Sequence, residues 1–412
     1  MHAPSSHKKK RSFAGLIIGN IAIVGLFLIL IEGLASYGLL VRDLVKQTSV
    51  GDIAERRHTK YDPDLGWVNE PDVYIPDMYG PGVYLRTNAQ GFRNNHDITA
   101  AVPDGKIRII CSGDSFTLGF GVDNTHSWCE LLSSLEPRLE TVNMGQGGYG
   151  VDQAYLWYKR DAAKIGHQAQ LLGFVTDDFY RMQSSSFSGY GKPVLEVEDG
   201  RLVVKNVPVP RQNSFVLWMR PRIESLRRLR TAEFFHTALR KIGAGTTDQP
   251  QPRQREQNEK TQKILRMIFE DLKCLNEQRS STLVLVYFPL IEELKDTPPS
   301  REWIDFLEGE SRSLGIPLIN LFREFQSLPA DEIAKLYIPY GKRGYPGGGH
   351  LNNLGNELAA RAIHDKLINH PAIVSALSAR WSNGWAGITA TTKAGAGCDV
   401  HQPPFNNAAL AN

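Results

Sequence analysis

The sequence predicts an α/β protein built on a parallel sheet, preceded by one transmembrane helix. Three observations carry this. Short apolar strands alternate with amphipathic helices from Lys106 to Leu367, the order in which parallel strands exchange with crossover helices. The strongest strand pattern, Thr282–Phe288, is apolar almost throughout, as a strand covered on both faces should be. Finally, Phe13–Ile31 is an apolar run interrupted only by Asn20.

That run comes first in the chain. At about 1.5 Å per residue, roughly 19 apolar residues match the hydrocarbon core of a bilayer, where a lone segment satisfies its backbone only as a helix. Residues 1–12 carry Lys8, Lys9, Lys10 and Arg11 and no acid, which places this end in the cytoplasm. The sequence therefore predicts a cytoplasmic tail (1–12), an anchor (13–40) and an exported remainder. A cleaved signal peptide is the alternative, with Gly33 and Ala35 ahead of Ser36, but such apolar regions usually run about 7–15 residues. Either reading exports the globular part, to a periplasm or the cell exterior.

Composition narrows the class further. The chain has 412 residues, 42% hydrophobic and 22% charged, which excludes a disordered chain, a collagen or a coiled-coil rod. The net charge of +3 is too mild to argue for a nucleic-acid partner. Cys111, Cys129, Cys274 and Cys398 form no CxxC or Cys/His cluster, so neither a zinc site nor a disulfide-dense scaffold is expected. No metal or cofactor is expected, and the sequence leaves the oligomeric state open.

The elements follow in order. Residues 41–105 read as a lead-in rich in Pro, Gly, Asp and Tyr, with a short strand near Gly82–Thr87. Lys106–Cys111 is the first strand of the domain, expected to span 106–375. Ser127 and Glu130 form a capping box that starts a helix ending near Pro137. Glu140–Met144 is the second strand. Val151, Tyr155, Tyr158, Ala162 and Ile165 recur at helical spacing, and Gln170–Val175 is the third strand. An insertion, 181–261, interrupts the pattern. Its middle, Phe215–Ile242, is helix-like and basic, either a solvated face or a contact for anionic headgroups or acidic polysaccharide. Its end, TTDQPQPRQREQNEK (246–260), reads as a flexible loop. After Thr282–Phe288 come a helix (Glu302–Leu314), a strand (Ile316–Asn320) and a last helix through Leu354, Leu358, Ala362 and Leu367. Residues 376–412 read as disordered.

The chemistry concentrates in CSGDSFTLGFGV (Cys111–Val122). A Ser on a strand-to-helix turn presents its hydroxyl and aims its own N–H at a reacting carbonyl, giving a nucleophile and one oxyanion donor. Carboxyl ends of strands are where α/β proteins bind ligands. The second strand runs into Asn143–Gly150, a Gly-rich turn whose backbone can approach a substrate and donate an N–H. His350, just before the last helix, is placed to take a proton from Ser115.

With these residues in order, the chain resembles the SGNH (GDSL-type) hydrolases over most of residues 62–367. It is most similar to a membrane-anchored bacterial branch whose domain follows an N-x-x-GFR motif, here Asn88–Arg93. The resemblance implies a three-layer α/β/α, flavodoxin-like fold. It implies Ser115 as nucleophile, His350 as general base and then acid, and the Ser115 and Gly148 N–H groups as oxyanion donors. Two positions depart from the family. Asp177 stands where an asparagine donor is usual, and an ionised carboxylate cannot donate. Gly347 stands three before His350, where the family carries the triad aspartate. Asp177 and Asp178 are then the nearest candidates for an acid, with a backbone carbonyl as the alternative partner of His350. Asp114 is read as shaping the turn or capping the helix, and Tyr149 as a candidate substrate contact. The implied activity is that of an exported serine esterase acting on an acylated carbohydrate or other ester, including O-acyl groups of envelope or extracellular polysaccharide. An O-acyltransferase with the same residues, or a degenerate glycan-binding or assembly protein on this fold, are the alternatives.

Overall fold

The computed structural model describes residues 13–47, 57–211, 252–295, 301–340, 347–371 and 373–374. The chain forms two compact units, Met1–Gly51 with Asn213–Gln249, and Asp52–Gln212 with Pro250–Asn412. The basic tail (1–12), the basic segment Phe215–Ile242 and the expected disordered tail (376–412) lie outside the described residues.

In the first unit the described element is helix α1, Phe13–Gln47. Its stretch Ile17–Gly38 is 22 residues long with mean hydropathy 2.4 and 0% of it buried. By length and composition this helix can cross a membrane. The expected anchor, 13–40, ends inside a helix that continues to Gln47.

The second unit opens with two short hairpins: β1 (Thr59–Asp62) with β2 (Gly66–Asn69), and β3 (Tyr74–Ile75) with β4 (Leu85–Arg86). Then come β5 (Ile107–Gly113), α2 (Ser115–Leu118), α3 (Trp128–Leu135), β6 (Leu139–Gly145), α4 (Val151–Arg160), β7 (Ala169–Phe174) and α5 (Thr176–Arg181). Two further hairpins follow, β8 (Ser186–Phe187) with β9 (Tyr190–Gly191), and β10 (Val194–Glu198) with β11 (Arg201–Lys205). The chain continues through α6 (Pro252–Gln278), β12 (Thr282–Tyr287), α7 (Ile291–Lys295), α8 (Arg301–Leu314), β13 (Leu318–Asn320), α9 (Leu321–Gln326), α10 (Ala330–Lys335) and α11 (Asn353–Leu367).

Five of these strands make one parallel sheet in the order β13-β12-β7-β5-β6. The chain winds from β5 to its neighbour β6, then returns to the other side of β5 and proceeds outward. This is the flavodoxin-like doubly wound order, with its switch point between β5 and β7. Alternation within the strands splits the core into two layers. Ile109 and Cys111 of β5, Leu171 of β7 and Val284 and Val286 of β12 pack with Trp128 and Leu132 of α3 and Ala359 and Ile363 of α11. Their neighbours face the opposite way, where Phe174 stacks on Phe269 of α6 and Gln170 accepts from Asn276 of α6 at 2.8 Å.

Two expectations change, and one bond adds to the reading. Part of the stretch read as a flexible loop, PRQREQNEK, is the first third of α6. Leu265, Ile268, Phe269 and Leu272 are fully buried, and this apolar stripe at helical spacing anchors the polar turns ahead of it. The insertion also carries the β8–β11 hairpins, which the sequence pattern did not signal. Second, residues 57–105 belong to the same compact unit as the sheet. Trp67, fully buried, donates to the Gly147 carbonyl at 2.9 Å. The added bond is a disulfide between Cys111 and Cys129, which ties β5 to α3. Wide spacing in sequence hid a Cα–Cα distance of 6.2 Å, inside the range a disulfide needs.

Candidate active site

Asp114 follows β5 in extended backbone and caps α2, its carboxylate accepting the Phe116 N–H at 2.9 Å. Ser115 therefore begins a helix at the carboxyl end of a strand beside the switch point. Its Oγ lies 2.8 Å from Nε2 of His350. His350 sits in the turn before α11, and its Nδ1 lies 3.1 Å from the Gly347 carbonyl oxygen. A carbonyl can only accept, so Nδ1 carries the proton, and in a neutral imidazole Nε2 is then the acceptor. The Ser115 O–H thus donates to Nε2. Phe116 and Phe120 hold the imidazole, with ring centroids 4.9 and 5.1 Å from it.

Two backbone donors lie in the turns that follow β5 and β6. Among the described residues, the N–H groups of Ser115 and Gly148 have no hydrogen-bond partner. Gly148 has φ +79°, and Gly145 packs so tightly on α2 that an added Cβ would lie 1.9 Å from the Leu118 nitrogen. Only glycine fits both requirements. The close approach brings the turn after β6 against the nucleophile turn, where Gln146 N donates to the Gly113 carbonyl at 3.1 Å.

Beneath the serine lies a buried ionic group. Asp114 Oδ2 is 3.4 Å from Ser115 Oγ and 3.5 Å from an Arg181 guanidinium nitrogen. The same nitrogen donates to Asp178 and, at 3.0 Å, to the Tyr149 carbonyl. Asp114 and Asp178 are each 1% exposed. Burial pushes the Asp178 carboxyl well above its ordinary range, the neighbouring Asp114 adds to this, and Arg181 opposes it. Burial also raises Asp114, against the pull of Arg181 and the Phe116 N–H.

The structure brings Ser115 and His350 of the expected set together, keeps Asp114 as the cap of α2, and places Asp177, Asp178 and Tyr149 outside their expected roles. Asp177 is exposed on the first turn of α5 and makes no hydrogen bond or ion pair among the described residues. A carboxylate cannot supply the amide donor that the resemblance expects there. Asp178 is not the acid for His350: it accepts the Val175 N–H at 3.0 Å and pairs with Arg181. Tyr149 is not a substrate contact, since it is fully buried and donates to the Trp67 carbonyl between two tryptophans. Asp114 caps the turn, as read from sequence. Phe120, Arg181 and the Gly347 carbonyl were not anticipated individually. Phe120 lies inside the segment singled out, but nothing in it signals stacking on a residue 230 positions away. Arg93 of the N-x-x-GFR motif is buried and donates to the carbonyls of Leu118, Gly119 and Val122. It thereby holds the loop that carries Phe120.

Fold and site together define an α/β protein with a hydrogen-bonded serine and histidine at the switch point of a doubly wound sheet. No family model matches the chain, and no curated protein matches it. Solved structures do. One similar structure is a lipolytic G-D-S-L family protein from Veillonella parvula, at 14% identity and TM-score 0.35, over 64% of this chain and 100% of that one. Another is the acetyl xylan esterase AlAXEase, at 15% identity and TM-score 0.36, over 64% and 100%. A third is a two-domain esterase active on acetylated mannans, at 12% identity and TM-score 0.34, over 65% of this chain and 50% of that one.

Proposed function

We propose that the chain is an SGNH-type serine esterase, anchored by α1 and exported. The single observation that carries this is the 2.8 Å contact between Ser115 Oγ and His350 Nε2, with Nδ1 held by the Gly347 carbonyl. Ser115 Oγ attacks the ester carbonyl carbon while Nε2 takes its proton. The carbonyl oxygen becomes an oxyanion facing the Ser115 and Gly148 N–H groups. The intermediate collapses, the alcohol leaves with the proton from Nε2, and an acyl-serine remains. Water repeats the sequence to release the acid and restore Ser115. The Gly347 carbonyl selects the tautomer whose Nε2 accepts, the orienting role of a triad aspartate.

The disulfide supports export, since such bonds persist in oxidising compartments. The basic flank before α1 supports a cytoplasmic N-terminus. An exported domain meets O-acyl groups on envelope or extracellular polysaccharide, which supports these as the substrate class. The test is release of acetate from an aryl acetate and from an O-acetylated polysaccharide. Ser115→Ala is expected to lower either rate by at least about 10³-fold; retained hydrolysis in that variant excludes this nucleophile. Transfer of the acyl group to an added sugar in place of water reassigns the protein as an acyltransferase.

A further inference from the structure

Arg181 touches two of the turns that build the site and the start of its own helix, α5. From the turn after β5 it faces Asp114, the residue before the nucleophile, at 3.5 Å. From the turn after β6 it binds the Tyr149 carbonyl, one residue beyond Gly148, at 3.0 Å. From the start of α5 it pairs with Asp178. Its guanidinium also lies over the Phe187 ring of β8, 5.2 Å from the centroid. A carboxylate 3.4 Å from Ser115 Oγ opposes a developing oxyanion and competes with Nε2 for the hydroxyl proton. The cation beside it removes both effects.

We infer that Arg181 is a positioning residue for the hydrolysis proposed above, setting the Gly148 turn against Ser115 and neutralising Asp114. The inference rests on that reading. It does not follow from the serine and histidine themselves, and nothing in the sequence motif marks this arginine.

The experiment is steady-state hydrolysis by the full chain carrying Arg181→Gln, Arg181→Lys or Arg181→Gln with Asp114→Asn, each checked for fold by circular dichroism. Asn keeps the cap of α2, because its side-chain oxygen still accepts. Arg181→Gln is expected to lower kcat about 100-fold, the scale of a misplaced reactive geometry, with KM within about twofold. Arg181→Lys should recover part of the rate, and adding Asp114→Asn to the glutamine variant should recover at least about tenfold, on the scale of one removed charge interaction. A folded glutamine variant with unchanged kcat overturns the inference, as does failure of both rescues. Should the wild type itself not hydrolyse esters, the esterase reading falls separately. The network is then judged by the Asp178 carboxyl resonance, which Arg181→Gln must shift to titrate at higher pH; an unmoved resonance removes the network as well.

Discussion

At Gly347 the residue type changes while the hydrogen bond persists. The resemblance expects an aspartate three before the histidine, and here the backbone carbonyl of that same position meets Nδ1 at 3.1 Å. Restoring the carboxylate is therefore no simple gain. Gly347 has φ +108°, and an added Cβ would lie 3.3 Å from Gly121 Cα, Ile338 Cδ1 and Phe120 Cδ1. Gly347→Asp is expected to cost about 1–3 kcal/mol in stability and to hydrolyse esters no faster than the wild type, measured by chemical denaturation and initial rates. Faster turnover would show that the residue type at this position, and not the local conformation, limits the site. The pairing of Ser115 with His350 was legible because each sits in a short motif with a mechanical reason for its residue type. Tyr149 was misread because adjacency along the chain says nothing about which way a side chain points. Its ring turns into the Trp67–Trp157 contact. Arg181 was illegible because two of its three partners, Asp114 and the Tyr149 carbonyl, come from turns distant in sequence.

At the scale of elements, the strands were legible because burial on two faces leaves a plain apolar signature. Each of the five sheet strands falls within two residues of its expected bounds. The Ser127 cap on α3 also holds, with Ser127 accepting the Glu130 N–H. The start of α6 was not legible, because its polar turns owe their helix to the buried stripe that follows. Two predictions belong here. Reducing the Cys111–Cys129 bond opens a loop closed over 18 residues, and Cys129→Ser is expected to cost about 3 kcal/mol, read from urea melts without reductant. An unchanged melt would mean that the bond does not form. The second concerns the turn into β6, where Arg138 hydrogen-bonds Glu136 and holds its carboxyl down at about 2. A depressed folded-state value means stability that is present above the unfolded value, near 4.5, and lost as pH falls toward 2. Glu136→Gln should therefore cost up to about 1 kcal/mol at neutral pH and nothing near pH 2. A cost that does not change with pH would point to packing instead.

For the molecule as a whole, the sequence separates into parts with different physical tasks. The net charge of +3 is almost entirely the Lys8–Arg11 flank, and the remainder is close to neutral. The full chain is expected to stay with membranes through high salt and alkaline carbonate and to need detergent for release, because an apolar stretch of 22 residues partitions irreversibly by comparison with a surface contact. In right-side-out vesicles, added protease should reach the sheet domain; protection would reverse the orientation. The central claim, a nucleophilic serine activated by His350, is tested most directly by treating the native protein with a fluorophosphonate and mapping the adduct by peptide mass spectrometry. The expected result is one phosphonylated residue, Ser115, with labelling lost in His350→Ala. No adduct on the folded wild-type protein, or an adduct on another residue, would contradict the account.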